Sequence, residues 1–161
     1  MTKNLYPHLL FVYGTLQKGH GNNRVLIGDN GKQATLLGSA TTMPKFYMAG
    51  GGFPRVGKSV LGEFPASVER QDHLGQVKGE VWSISDVALK ACDRLEGHPT
   101  FYRREVIPVT LDKDRIKLRP WMYVICEPFR SYECLEKDKQ GVLKWESSWR
   151  RFPKMGGVVE A

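Results

Sequence analysis

The apolar positions of this chain come in short bursts cut by glycine, proline and polar pairs, and where they repeat the period is more often two than 3.6. "HLLFVYG", residues 8–14, holds a continuous apolar run that stops at Gly14-Thr15 and predicts a buried strand. "ATLLGSATT" and "KFYMA" read as extended segments separated by Pro44. "QVKGEVWSI" alternates, with Val77, Gly79, Val81 and Ser83 on one face and Lys78, Glu80, Trp82 and Ile84 on the other. "REVIPVTLD" and "KLRPWMYVICE" are two further β-branched and aromatic runs around Asp112-Lys113-Asp114, which reads as a hairpin turn. Pro108 and Pro120 place edges or bulges inside those runs, because proline cannot donate to a strand ladder.

One segment carries a helical signature. Ser85 is the N-cap, Asp86 lies in the first turn, Val87, Ala91 and Leu95 recur four apart, and Gly97 is the stop. Many strands and one main helix predict an α+β domain built on a small mixed or antiparallel β-barrel. The segment from Arg130 onward mixes charges with Trp145 and Trp149, four apart, and predicts a short amphipathic helix capping the barrel. The expected division is therefore a domain at 1–129 and a C-terminal extension at 130–161.

Composition narrows the function classes. A chain of 161 residues is one ordinary domain that buries roughly two-thirds of its unfolded surface, so it needs no covalent staple. Cys92, Cys126 and Cys134 are odd in number and form no C-x-x-C pair, which argues against a disulfide framework or a zinc ribbon and favours a reducing compartment. The apolar run near the N-terminus is far shorter than a secretory core or a span of about 20 residues, so a soluble, cytoplasmic protein without a membrane partner is expected. The net charge of +7 is spread thinly: +4 over residues 1–80, +1 over 81–129 and +2 over 130–161. Arg103-Arg104 and Arg150-Arg151 are isolated pairs, not the one-sided basic stripe that nucleic acid requires.

"GFPRVGKS", residues 52–59, fits the G-x-x-x-x-G-K-S phosphate-binding pattern, but its context is wrong. Such a loop should leave a buried strand and open a helix, whereas Gly62 and Pro65 would break any helix after Ser59, and Pro54 removes an amide donor. A glycine-rich surface loop is the favoured alternative. His8, His20, His73 and His98 show no ligand spacing, so no metal is expected, and nothing resembles a nucleophile elbow.

What remains is a glycine loop and a carboxylate. Glu96 falls on the last turn of the expected helix, just ahead of "GHPTFYRR". The negative helix end and desolvation by neighbours such as Phe101 and Tyr102 would both favour its protonated form, which suits a proton shuttle near neutral pH. The alternative is a solvated surface charge.

"FVYGTLQKGHGNNRVL" and "DRLEGHPTFYRREVI" together resemble the two signatures of the γ-glutamylcyclotransferase-like family, most closely its γ-glutamylamine cyclotransferase branch. The resemblance spans about residues 9–126. It implies a substrate-binding turn at Tyr13-Gly14-Thr15-Leu16 acting through backbone groups, Glu96 as the catalytic acid/base, and Pro54 as the substrate-facing proline. Tyr102 and Tyr123 are candidates for contact with substrate or for barrel packing, and Arg103 is a weaker candidate partner for a substrate carboxylate. The implied reaction is attack of the α-amine of a small γ-glutamyl substrate on its own γ-carbonyl, releasing 5-oxoproline and an amine without any cofactor. A catalytically silent binding module on the same fold is the alternative.

Overall fold

Strand β1 (His8–Val12) is the central apolar run, and its register fixes the rest. It pairs antiparallel with β5 (Gln76–Ile84), His8 opposite Ile84 and Val12 opposite Glu80, and parallel with β9 (Trp121–Ile125). On the far side of β5 lies β2 (Ala34–Thr42), followed by β7 (Val109–Leu111) and β8 (Lys117–Leu118), while β6 (Tyr102–Val106) flanks β9. The order is β6-β9-β1-β5-β2-β7-β8, a mixed sheet that curls into a half-barrel. A separate hairpin joins β3 (Phe46–Ala49) to β4 (Arg55–Lys58). The computed structural model describes residues 6–49, 55–58, 74–126 and 135–145.

The sequence signals account for most of these elements. Pro44 separates β2 from β3, Pro108 separates β6 from β7, and Pro120 separates β8 from β9. β7 and β8 form the hairpin expected around Asp112-Lys113-Asp114. Gly79 is demanded by the packing of β1 on β5: a Cβ there would lie 2.1 Å from the Val12 carbonyl oxygen and 2.9 Å from the Phe11 ring. The core divides into two clusters, one around Leu10, Leu26, Tyr47 and Ile84, the other around Phe11, Met48, Val77 and Met122.

Helix α2 (Asp86–Glu96) begins at the Ser85 cap, whose hydroxyl accepts from the Ala88 amide, and ends at Gly97 with φ 67°, the left-handed C-cap that glycine favours. Its buried face is not the Val87-Ala91-Leu95 line. Val87 is 66% exposed and Leu95 43%, whereas Ala88, Leu89 and Cys92 are buried. The stripe 88-92-96 therefore turns inward and carries Glu96 with it, since residues four apart share a face.

Besides β4, which stands where the sequence suggested a loop, two elements depart from the sequence pattern. Helix α1 (Asn23–Ile27) was not foreseen: it has five residues, no side-chain N-cap bond and one buried residue, Leu26. The amphipathic helix expected through Trp145 is replaced by strand β10 (Val142–Leu143), which pairs parallel with Gln76 and Val77 of β5, followed by a buried Trp145. Trp149 lies outside the described residues. Two residues are too few to show a strand period, so the pairing wins on position along β5 rather than on pattern.

Candidate active site

The topology brings two distant segments together. β5 ends at Ile84 beside His8, the start of β1, and α2 starts there too, with His8 Nε2 2.5 Å from the Asp86 carboxylate. From that shared origin β1 advances about 3.3 Å per residue and α2 about 1.5 Å. The short strand and the longer helix thus each cover roughly 15–17 Å, so Glu96 arrives next to the turn that follows β1.

That turn is built to leave its amides available. The Gly14 carbonyl accepts from the Gln17 amide (3.0 Å), the Thr15 carbonyl from the Asn22 amide (3.1 Å), and the Leu16 carbonyl from Asn23 Nδ2 (2.8 Å). Asn22 Nδ2 also donates to Thr15 Oγ1 at 2.9 Å, and the Lys18 amide is anchored on Glu80 Oε1 at 2.9 Å. The two asparagines therefore hold the loop from its carbonyl side. Among the described residues, the amides of Gly14, Thr15 and Leu16 donate to no protein acceptor.

These residues border a cavity of about 280 Å³. Its lining brings together Tyr13, Gly14, Thr15, Leu16, Glu96, Tyr102 and Tyr123, all singled out from the sequence, with Phe11, Val12, Asn22, Leu95 and Phe101 completing the wall. Pro54 lies outside the described residues. Arg103 pairs with Glu105 at 2.5 Å and is not among the lining residues. Over Arg55–Lys58 the phosphate-loop pattern is neither an amide cradle nor the surface loop favoured from the sequence: these residues form strand β4, paired with β3, with Val56 buried, and the rest of the pattern lies outside the described residues. Phe101 lies beside Glu96 as expected, whereas Asn22 and Leu95 were missed as lining residues, although "GNN" and the "RLEG" end of the helix held them.

The electrostatics follow from burial. Among the described residues Glu96 is the only ionisable carboxyl of the lining, and loss of hydration pushes its pKa from 4.5 up to about 7. Among the described residues nothing hydrogen-bonds to its carboxyl. Tyr13 donates its hydroxyl proton to the Tyr123 carbonyl at 2.8 Å as it lines the cavity. Burial first, and the proximity of Tyr102 and Glu96 second, hold its proton firmly. Tyr102 and Tyr123 are likewise raised above the usual phenol range, by burial before any other cause. Cys92, one turn before Glu96, is pushed up to about 12 by burial and the nearby acids and stays a neutral thiol.

Outside the lining, Asp93 receives Tyr123 Oη at 2.6 Å and a two-pronged contact from Arg104, Nε at 2.7 Å and Nη2 at 3.0 Å. Among the described residues no group of three or more His, Cys, Asp or Glu side chains converges on a metal-sized site. No described helix is long and apolar enough to cross a membrane.

The chain is similar to known proteins in sequence and in fold. The family model described as gamma-glutamyl cyclotransferase, AIG2-like matches residues 10–151. A protein of Methanocaldococcus jannaschii, provisionally named as a gamma-glutamylcyclotransferase, is 30% identical over 114 residues, 71% of this chain and 81% of that protein. The gamma-glutamylaminecyclotransferase of Homo sapiens is 34% identical over 110 residues, 66% of this chain and 65% of that protein. A crystal structure of an AIG2-like protein from Mus musculus superposes with a TM-score of 0.59 at 20% identity, over 88% of this chain and 97% of that one, and shares its fold.

Proposed function

Because the chain belongs to the AIG2-like gamma-glutamyl cyclotransferase family, whose members act on small γ-glutamyl compounds, we propose that it closes the γ-glutamyl moiety of such a compound into 5-oxoproline and releases the amine. One observation carries this reading: the Glu96 carboxyl and the unengaged amides of Gly14, Thr15 and Leu16 border the same cavity.

The chemistry needs little else. The nucleophile is the substrate's own α-amine, whose attack on the γ-carbonyl carbon closes a five-membered ring, so holding the folded conformer supplies most of the advantage of an intramolecular attack. The amine attacks only when neutral, and with a pKa near 7 about half of the Glu96 groups are ionised at neutral pH and able to take its proton. As the C–N bond forms, negative charge moves to the former carbonyl oxygen. Amide N–H groups of the 14–16 turn stabilise either this oxyanion or the substrate α-carboxylate without adding a charged side chain that would compete for the proton. Glu96, now protonated, returns the proton to the leaving nitrogen, which cannot depart as an amide anion, and the C–N bond to the amine breaks. Tyr13, Tyr102 and Tyr123 wall the cavity and exclude water from the reacting centre.

The test is release of 5-oxoproline from a panel of γ-glutamyl amines and γ-glutamyl amino acids. The wild type should turn over at least one, and Glu96→Gln should lose a factor of about 10² to 10⁴ in kcat while remaining folded. Full activity in that variant would remove Glu96 from the reaction. Saturable binding of γ-glutamyl compounds without turnover by the wild type would leave a ligand-binding module in place of an enzyme.

A further inference from the structure

We infer that the Asp93–Arg104 ion pair is a positioning device for the proposed reaction: it locks α2, β6 and β9 together around Glu96 and, by cancelling its own charge, keeps the Asp93 carboxylate from acting as a bare ion one helical turn from that carboxyl. The inference rests on the cyclotransferase reading.

Asp93 sits three residues before Glu96, so the two carboxyls lie on neighbouring positions of one helix surface, about 5–6 Å apart at Cβ. Its two oxygens are fully engaged: Oδ1 accepts from Arg104 Nε and from the Tyr123 hydroxyl, and Oδ2 accepts from Arg104 Nη2. Both charged side chains are mostly buried, at 18% and 19% exposure. Arg104 is held on its other side by stacking 4.6 Å over Trp121, and its amide donates to His98 Nδ1 at 3.1 Å, fixing the chain just beyond Gly97. Tyr123, gripped by Asp93 through its hydroxyl, receives the Tyr13 hydroxyl on its carbonyl. A single pair thus connects the helix bearing the acid, both strands behind the cavity, the loop after the helix and the residue that opens the amide turn.

Geometry of this kind has an electrostatic consequence. A buried pair that loses one member leaves the other charge uncompensated. Without Arg104, a bare carboxylate one turn away disfavours the ionised form of Glu96; without Asp93, a bare guanidinium favours it. The other groups facing Glu96 are Tyr13 from the turn after β1, Tyr102 from β6 and Cys92 from α2, with Tyr123 of β9 behind them, all neutral near pH 7 because burial raises each. Arg55 of β4, facing Tyr102, is common to every variant below.

The experiment follows the Glu96 carboxyl by ¹³C NMR in glutamate-labelled full-length protein, its signal assigned as the one lost in Glu96→Gln. Asp93→Asn should lower the titration midpoint by about half to one pH unit and Arg104→Gln should raise it by a similar amount. The double variant, neutral again, should return toward the wild type. Arg104→Lys keeps the charge but not the fork, so it should leave the midpoint in place while kcat for a γ-glutamyl amine falls about tenfold with KM little changed; if Asp93→Asn does not fold, the contrast between Arg104→Gln and Arg104→Lys decides. Shifts that are absent or of one sign, or a midpoint that moves equally in Arg104→Lys, would overturn the inference. Turnover with no opposed shifts removes the inference alone. Opposed shifts in a protein that turns over no γ-glutamyl compound remove the catalytic reading instead.

Discussion

Glu96→Gln should make the protein more stable, and only at high pH. The folded state holds the Glu96 proton up to about pH 7, whereas an unfolded glutamate releases it near 4.5. Below about pH 4.5 the carboxyl is protonated in both states and contributes no difference. Between 4.5 and about 7 the native state binds the extra proton, so stability falls as pH rises, by about 1.36 kcal/mol per pH unit. Above pH 7 the full cost of ionising a desolvated carboxylate is present, about 3 kcal/mol for a pKa raised from 4.5 to about 7. Glutamine has the same shape and no charge to desolvate, so the variant escapes that cost. Paired denaturant titrations of wild type and Glu96→Gln at several pH values between 4.5 and 8 should give near-equal stabilities at the acid end and a variant about 3 kcal/mol more stable at pH 8, equivalent to a Tm about 6–12 °C higher for a chain of this size. Other titrating groups cancel in the difference. A stability difference that stays constant with pH would show that the Glu96 carboxyl faces water, and the desolvation argument would fail with it.

Other substitutions probe the frame around the acid. Gly79→Ala would drive a methyl group into the Val12 carbonyl, a backbone atom that cannot step aside, and should cost about 3 kcal/mol or more in urea denaturation; a loss under 1 kcal/mol would contradict the close approach of β1 to β5. Tyr13→Phe strips the Tyr123 carbonyl of a buried partner and should cost about 1–3 kcal/mol, so an unchanged denaturation midpoint would rule out that tie. Cys92 should resist iodoacetamide in the folded protein at pH 8 while half-buried Cys126 reacts, as read by peptide mass mapping; rapid modification of Cys92 in native protein would contradict its burial.

How much of this was legible in the sequence depended on how local each signal was. β5 matched its alternating segment from Gln76 to Ile84, and α2 began and ended at the residues whose chemistry caps a helix, because those signals lie within one turn or one strand. The prolines divided the later strands for the same local reason. Helix α1 was invisible: with five residues and only Leu26 buried, it has no apolar stripe to display. The Val87-Ala91-Leu95 spacing marked α2 as helical but not which side packs: Val87 and Leu95 are exposed, while the smaller Ala88 and Cys92 mark the buried side. That one-residue offset is what places Glu96 in the cavity and not in solvent. Glu96 stood out by its place at the end of the expected helix and the turn at Gly14-Thr15 by the abrupt stop of the first strand, while the motif resemblance supplied the roles of Tyr13 to Leu16 and Glu96. The Asp93–Arg104 pair could not be read at all, since it joins a helix to a strand eleven residues on and depends on how the two pack.

The most direct measurement is a crystal structure of the full chain with 5-oxoproline bound. The account predicts the product in the cavity bordered by Tyr13, Glu96 and Tyr102, its lactam nitrogen within about 3 Å of the Glu96 carboxyl and an oxygen on the amides of residues 14–16. Product bound elsewhere, or bound there with Glu96 turned away from the ring nitrogen, would contradict it.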